Sequence, residues 1–260
     1  MPYHHVDSIR YYTFELLNHP GITHAVFTRR GGLSPAPWAS LNVGAVVGDE
    51  INRVVANRER AFRAVRRDPS SIFDVWQVHS AEVVCTDAPR KLDTPYVKAD
   101  AILTQNPEVT LFMRFADCVP ILFLDPIRKV IGLAHAGWLG TIKGVAPTTV
   151  KKMVSQYECK PGDILACIGP SIGPHHYPVG PEVVSQVENV FGDFAPRLLP
   201  EENGAVQFDL WEANHWQLEQ AGVRQIEVSS ICTACEPDNW YSHRGENGKT
   251  GRFGALIGLI

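Results

Sequence analysis

Short apolar runs and stretches of helical periodicity alternate along the chain. Apolar runs at residues 23–28, 72–78, 82–86, 101–104, 109–113, 121–124, 130–134, 164–168 and 226–229 are bounded by turn-forming residues and predict strands. Runs such as 121–124 and 130–134 leave no polar position on either side, so these strands are expected to be covered on both faces. Apolar residues spaced by three and four predict helices over residues 50–66, 141–157, 181–190 and 210–221. Many neighbouring strands have no helix between them, which argues against a strictly alternating doubly wound fold. The pattern predicts one α/β (α+β) domain over residues 1–260, with a mixed β-sheet core flanked by helices and residues 1–20 as an N-terminal extension packed on it. Segments 87–98, 198–205 and 244–249 are polar and turn-rich, and are expected to be the most flexible.

One predicted helix carries an irregularity. Ile51, Val54, Val55, Phe62 and Val65 define an apolar stripe, and Arg58, seven residues after Ile51, falls on it. Such an arginine either lays its stem on apolar neighbours with its head at the surface, or aims its guanidinium at an anion in a cavity. Spacing alone favours the first.

Composition narrows the function classes. Apolar residues make up 45% of the chain and charged residues 20%, the balance of a folded globular protein and not of a disordered one. Lys and Arg total 24 against 28 Asp and Glu, so there is no basic field to attract nucleic acid. Residues 1–18 lack the basic start and apolar stretch of a secretory signal. The most apolar segment, 111–125, is interrupted by Arg114, Asp117 and Pro120 and falls short of the ~20 residues a membrane span needs. Six cysteines in 260 residues do not make a disulfide scaffold. The expectation is a cytoplasmic, monomeric protein with no membrane and no nucleic-acid partner.

Three short motifs flank apolar strands: Gln77-Val78-His79-Ser80, Ala116-Asp117-Cys118-Val119-Pro120 and Ala134-His135-Ala136-Gly137-Trp138. Strand ends are where rigid structure hands reactive side chains to a cleft. His79, Cys118 and His135 offer two imidazoles and a thiolate, the nitrogen and sulfur donors that Zn²⁺ prefers, with a fourth position left for water as in catalytic sites. The same residues equally suit a thiolate nucleophile with a histidine base. Cys232-Thr233-Ala234-Cys235 is a single C-x-x-C pair that suits half a zinc site or a redox pair; with no second such pair in the chain it is read as two structural thiols near the site. The adjacent His175 and His176 are read as loop residues pointing apart. The glycine-bearing segment 241–252 reads either as a surface turn leading to a terminal strand or as a loop in which Arg244 or Arg252 closes a pocket over an anion.

The set Ser40-Leu41-Asn42-Val43-Gly44, Asn57-Arg58, Gln77-Val78-His79, Ala99-Asp100-Ala101, Ala116-Asp117-Cys118-Val119-Pro120, His135-Ala136-Gly137-Trp138, Ile168-Gly169-Pro170-Ser171-Ile172 and Tyr241-Ser242 resembles the YfiH/YlmD family, formerly called laccase-domain or polyphenol oxidase proteins. The resemblance runs in the same order from Gly21 to the C-terminus. It implies a compact YfiH-like fold, and zinc held by His79, Cys118 and His135. It also implies phosphorolysis of adenosine, inosine, guanosine and methylthioadenosine, and hydrolytic deamination of adenosine. Purine nucleosides and phosphate are then the partners, with Asn42, Arg58 and Arg244 lining the cleft and Asp117 orienting a ligand. Four positions depart from the pattern: Leu139 where an arginine is usual, Pro178 where a glutamate is usual, Phe115 where a small polar residue is common, and Gly245 where a second arginine would follow Arg244. Fewer cations weaken phosphate capture. Three alternative functions remain: a copper-dependent polyphenol oxidase, a Cys/His hydrolase editing peptidoglycan precursors, and a non-catalytic nucleoside-binding module.

Overall fold

The computed structural model describes residues 2–91, 93–202 and 204–260. Met1, Leu92 and Asn203 lie outside the described residues; the latter two fall in segments 87–98 and 198–205, so the flexibility expected there is not assessed at those positions. In chain order the strands are β1 (Tyr3–Val6), β2 (Ile9–Tyr12), β3 (Ile22–Phe27), β4 (Ile72–Phe73), β5 (Val83–Cys85), β6 (Ala101–Thr104), β7 (Thr110–Phe115), β8 (Val119–Asp125), β9 (Val130–Ala136), β10 (Leu165–Ile168), β11 (Glu201–Glu202), β12 (Ala205–Val206), β13 (Gln225–Val228) and β14 (Phe253–Leu259). The helices are α1 (Ile51–Ala64), α2 (Trp138–Ile142), α3 (Val145–Tyr157), α4 (Pro181–Phe191), α5 (Ala195–Leu198) and α6 (Leu210–Gln220). None of them is long and apolar enough to cross a membrane.

Two mixed sheets form the centre, ordered β1-β2-β3-β14-β7-β4 and β13-β10-β8-β9-β6-β5. Within them β4–β7, β5–β6 and β10–β13 run parallel and the other pairs antiparallel. Leu111 and Met113 of β7 and Ala255 and Ile257 of β14 share one apolar cluster with Leu122 of β8 and Ile131 and Leu133 of β9, so the sheets face each other across it. The alternate residues point the other way. Ile121 and Phe123 pack against Val150, Met153 and Leu218 of α3 and α6, while Phe112 and Leu256 meet Ala61 and Phe62 of α1. The order of layers is therefore helix, sheet, sheet, helices. Central strands covered on both faces explain why β7, β8 and β9 read as continuous apolar runs.

Several elements depart from the sequence expectation, each for a local reason. The apolar run 72–78 forms strand only at Ile72–Phe73. Beyond it Asp74 is fully buried among arginines, and the N–H of Val78 turns to the carboxylate of Asp100. The helix expected over 141–157 is two helices, α2 and α3, separated at Gly144, whose left-handed φ of 74° glycine tolerates best. In α1, Ile51 and Val55 are exposed, and the inward face is Val54, Asn57, Ala61 and Phe62. Apolar spacing missed this rotation because the inward Asn57 is a polar hub. It accepts from Leu33 N–H and donates to Ser34 Oγ and the carbonyls of Ser40 and Asn42. Residues 3–12 pair as β1 and β2 onto β3 and continue the first sheet.

Candidate active site

The two sheets deliver three donor side chains to one end of the sandwich. His135 lies near the end of β9, on the same face as Ile131 and Leu133, paired with Pro120 of β8. Cys118 occupies the tight turn from β7 to β8, and His79 the irregular segment after β4. Their donor atoms all lie within 4.8 Å of one another. Cys118 Sγ is 3.9 Å from His79 Nε2, and the two imidazole centroids are 5.0 Å apart. A tetrahedral nitrogen–sulfur site has donor–donor edges of about 3.3–3.8 Å. Small side-chain movements therefore suffice to seat a metal ion on these three residues.

The backbone at this site is held in conformations that most residues avoid. His79 and Asp117, the neighbour of Cys118, have φ of 56° and 79°, each costing about 1 kcal/mol or more for a residue with a Cβ. Buried carboxylates hold both loops. Asp100 Oδ2 accepts from the N–H of Val78 (3.1 Å), the N–H of Ser80 (2.6 Å) and Ser80 Oγ (2.7 Å), clamping the residues on either side of His79. Asp117 accepts from Thr233 Oγ1 (2.7 Å) and Arg244 N–H (2.6 Å), while its carbonyl accepts from Ile172 N–H (2.9 Å). Gly137 packs directly on the cluster, where a Cβ would lie 2.8 Å from Cys118 Sγ and 3.0 Å from His79 Cδ2. Any larger residue there would push on two donors at once.

Asp100 also reaches the third donor. Its Oδ1 is 2.9 Å from His135 Nδ1, which leaves His135 Nε2 to face the metal position. Burial works against its ionisation, but hydrogen bonds from His135 and Ser80 prevail and hold the carboxyl at about 2. Burial likewise disfavours charge on His135 and Cys118. Their mutual attraction, reinforced at His135 by Asp100 and at Cys118 by His79, overcomes it and moves His135 up to about 9 and Cys118 down to about 6. Without a metal the pair is a thiolate and an imidazolium. The orienting carboxylate expected at Asp117 is thus Asp100; Asp117 shapes the Cys118 turn through main-chain and hydroxyl contacts.

A cavity of about 400 Å³ opens onto the three donors, within the range of small-molecule sites. Trp76 and Tyr96 form an aromatic corner of it, with ring centroids 6.3 Å apart. Arg114 and Arg252 supply its cations. Arg252 Nη1 donates to the carbonyls of Thr250 and Gly251. Arg114 belongs to a buried cluster in which Arg58, Arg90 and Arg114 surround Asp74 at 3.8, 2.7 and 3.6 Å, three guanidiniums on one carboxylate. Tyr96 lies beneath the Arg90 guanidinium, 4.0 Å from its ring centre, so segment 87–98 is tied down on both sides of Leu92. A larger hollow of about 570 Å³ lies near β1 and β2, but none of the three donors lines it.

The cleft residues expected from the sequence are only partly the ones found. Asn42 is fully buried and does not line the cavity. Its Oδ1 accepts from the N–H groups of Gly44 and Arg252, and its Nδ2 donates to Asp49, so it fixes the backbone of two lining residues. Arg58 points inward, against the surface-directed head that spacing alone favoured, and ends on Asp74 and the carbonyl of Val43 without lining the cavity. Arg244 is exposed and does not line the cavity; it covers the Tyr177 ring and donates to the carbonyl of Pro178. Segment 244–249 is a series of turns anchored by Glu246, which accepts from Arg29, Ser242 N–H and Thr250 Oγ1. Arg114 drew no functional reading from the sequence because it sits inside an apolar strand. The motif Ala99-Asp100-Ala101, an acid at the start of a buried strand, was the available signal for Asp100.

Comparison with known proteins gives a consistent result. A family model described as multi-copper polyphenol oxidoreductase laccase matches residues 23–260. The chain is 37% identical over 242 residues to the purine nucleoside phosphorylase YlmD of Bacillus subtilis, covering 89% of this chain and 86% of that protein. It is 38% identical to a purine nucleoside phosphorylase of Deinococcus radiodurans, covering 92% and 89%. The crystal structure of YlmD from Geobacillus stearothermophilus superposes with a TM-score of 0.90 at 34% identity, over 99% of this chain and 98% of that one. The Bacillus licheniformis hypothetical protein YfiH gives 0.91 at 34% identity, over 100% and 99%.

Proposed function

The chain belongs to the multi-copper polyphenol oxidoreductase laccase family, and on that premise we propose that it is a zinc-dependent purine nucleoside phosphorylase that also deaminates adenosine. The observation that carries the proposal is a single cavity that joins the metal-capable group of His79, Cys118 and His135 to two arginines and an aromatic pair. Relatives at comparable identity are named purine nucleoside phosphorylases, and those features are what the reaction needs. Trp76, 43% exposed at the cavity wall, offers a face on which a purine can stack beside Tyr96. Arg114 and Arg252 would bind the phosphate dianion by charge-assisted hydrogen bonds, so its capture does not require an arginine at Leu139. In phosphorolysis a phosphate oxygen bonds to the ribose anomeric carbon as the glycosidic bond breaks, and the base leaves with the electron pair and takes a proton. The chain contributes placement and electrostatic stabilisation. In deamination, water adds at the purine carbon bearing the amino group and ammonia departs. His79, Cys118 and His135 would hold the zinc ion, which when bound would supply Lewis acidity and an activated water with a pKa of about 7. Asp100 keeps His135 in the tautomer that presents Nε2. Substrates would be adenosine, inosine, guanosine and methylthioadenosine.

Incubation of metal-quantified protein with adenosine, with and without phosphate, tests the reading. Adenine should form only with phosphate, inosine in both cases, and neither with Cys118→Ala. A second reading has its own support: Cys118, His135 and Asp100 are arranged as a thiol, base and orienting acid. Hydrolase activity that survives zinc removal but not alkylation of Cys118 would favour it. The copper-oxidase reading rests on the family's description, and would show as oxygen consumption with phenols.

A further inference from the structure

The second group of donors lies away from the cavity, and the sequence had left its parts unconnected. β10 and β13 are parallel neighbours, so the turns that follow them emerge at the same end of the sheet. The turn after β10 carries His175 and His176; the turn after β13 carries Cys232 and Cys235. The two histidines, expected to point apart, instead bring their rings to 4.8 Å. Donor atoms of all four residues lie within 4.8 Å of one another. His175 Nε2 is 3.1 Å from Cys235 Sγ, and His176 Nδ1 is 3.6 Å from both Cys232 Sγ and Cys235 Sγ. These match within a few tenths of an ångström the ~3.3–3.8 Å edges of a tetrahedral Cys₂His₂ zinc site.

Two further features suit a metal. The N–H of Gly173 donates to Cys232 Sγ at 3.2 Å, a bond that favours a thiolate, and the N–H of Cys235 returns to the carbonyl of Cys232, folding the C-x-x-C into the tight turn that lets both sulfurs bind one ion. Gly173 has no room for a side chain, since a Cβ would lie 2.7 Å from the His175 ring and 3.2 Å from Cys232 Cβ. We propose that His175, His176, Cys232 and Cys235 form a second, structural zinc site.

With four protein donors the site has no open position and no catalytic role. Its effect is on the active site. Thr233, between the two cysteines, donates to Asp117, and Ile172, just before the histidine turn, donates to the carbonyl of Asp117. Asp117 holds the turn that presents Cys118. A zinc ion joining the two outer loops braces that turn from outside.

The test counts metal in a background where the first site is disabled, so it is independent of any activity. Reduced, zinc-supplemented wild type should carry about two zinc per chain and Cys118→Ala about one; Cys118→Ala/Cys235→Ala, and Cys118→Ala/His175→Asn as a variant from the opposite loop, should carry almost none. Cys235 and His175 are exposed, so these changes leave the core intact. Cobalt added to metal-free Cys118→Ala should give a thiolate charge-transfer band with the intensity of two sulfur ligands. Folded, reduced Cys118→Ala that retains no zinc and gives no such band overturns the proposal, as does zinc retained undiminished in the double variants.

Discussion

Replacing Asp100 by asparagine changes one atom and no volume, yet the surrounding bonds leave the new amide no good orientation. If its oxygen stays on Val78 and Ser80, which present three donors, the NH₂ faces His135 Nδ1. His135 must then accept at Nδ1 and carry its proton on Nε2, the atom a metal needs. If the amide flips, NH₂ opposes two N–H groups and a hydroxyl, and the loop around His79 loses its clamp. Loss of one such orienting partner lowers metal affinity about 10–100-fold, or about 1.4–2.7 kcal/mol. Buried donors left without an acceptor cost the metal-free fold about 1–3 kcal/mol, or about 2–4 °C of Tm per kcal/mol for a chain of this size. Competition with a chelating indicator measures the first quantity and calorimetry of the metal-free protein the second. Ser80→Ala, which removes one donor and leaves the carboxylate, should weaken zinc binding only a few-fold. Zinc affinity at the first site of Asp100→Asn within threefold of wild type would refute the assignment of Asp100 as the orienting group.

Three other outcomes follow from the same geometry. Arg252→Ala should raise the KM for phosphate about tenfold or more, the worth of a charge-assisted bond to a dianion, with a smaller change for the nucleoside; steady-state kinetics with each substrate varied separates the two. Gly137→Ala should lower zinc occupancy of the first site, because its Cβ would lie 2.8 Å from Cys118 Sγ; metal analysis after dialysis measures this, and full retention contradicts it. In metal-free protein Cys118 should remain a thiolate down to about 6 and His135 an imidazolium up to about 9. The ion pair's contribution to stability should then be level between those values. It should stay nearly level outside them as well, because the folded thiolate and imidazolium bind the same number of protons as the unfolded chain's thiol and neutral imidazole, whose ordinary values are 9.0 and 6.5. The rate of Cys118 alkylation against pH reports the thiolate limit, and the ring-proton NMR shifts of His135 report the imidazolium limit.

The parts of the fold written most plainly in the sequence are those in which burial acts on consecutive residues. β7, β8 and β9 are apolar on both faces because sheets or helices cover both, and the donors at their ends follow from that reading. Features that depend on polar groups meeting across the chain were hidden. Asn57 reads as an interruption of a helical stripe until its four partners, all in residues 33–42, are known. Asp74 and its arginines come from segments far apart, and shorten a strand that apolar spacing alone would extend. Arg114 becomes a cavity cation only because two strand ends meet there, beside the Arg252 that the sequence had singled out, while Asn42 and Arg58, closer in sequence to a recognisable motif, do not line the cavity. His175 and His176 joined Cys232 and Cys235 only through the parallel pairing of β10 and β13.

The most direct measurement is phosphorus NMR of zinc-loaded protein turning over inosine in phosphate, run beside Cys118→Ala. The account predicts a ribose 1-phosphate resonance that grows in step with released hypoxanthine, and no such growth with Cys118→Ala. Hypoxanthine released without the phosphate ester, or equal turnover by Cys118→Ala, would contradict it.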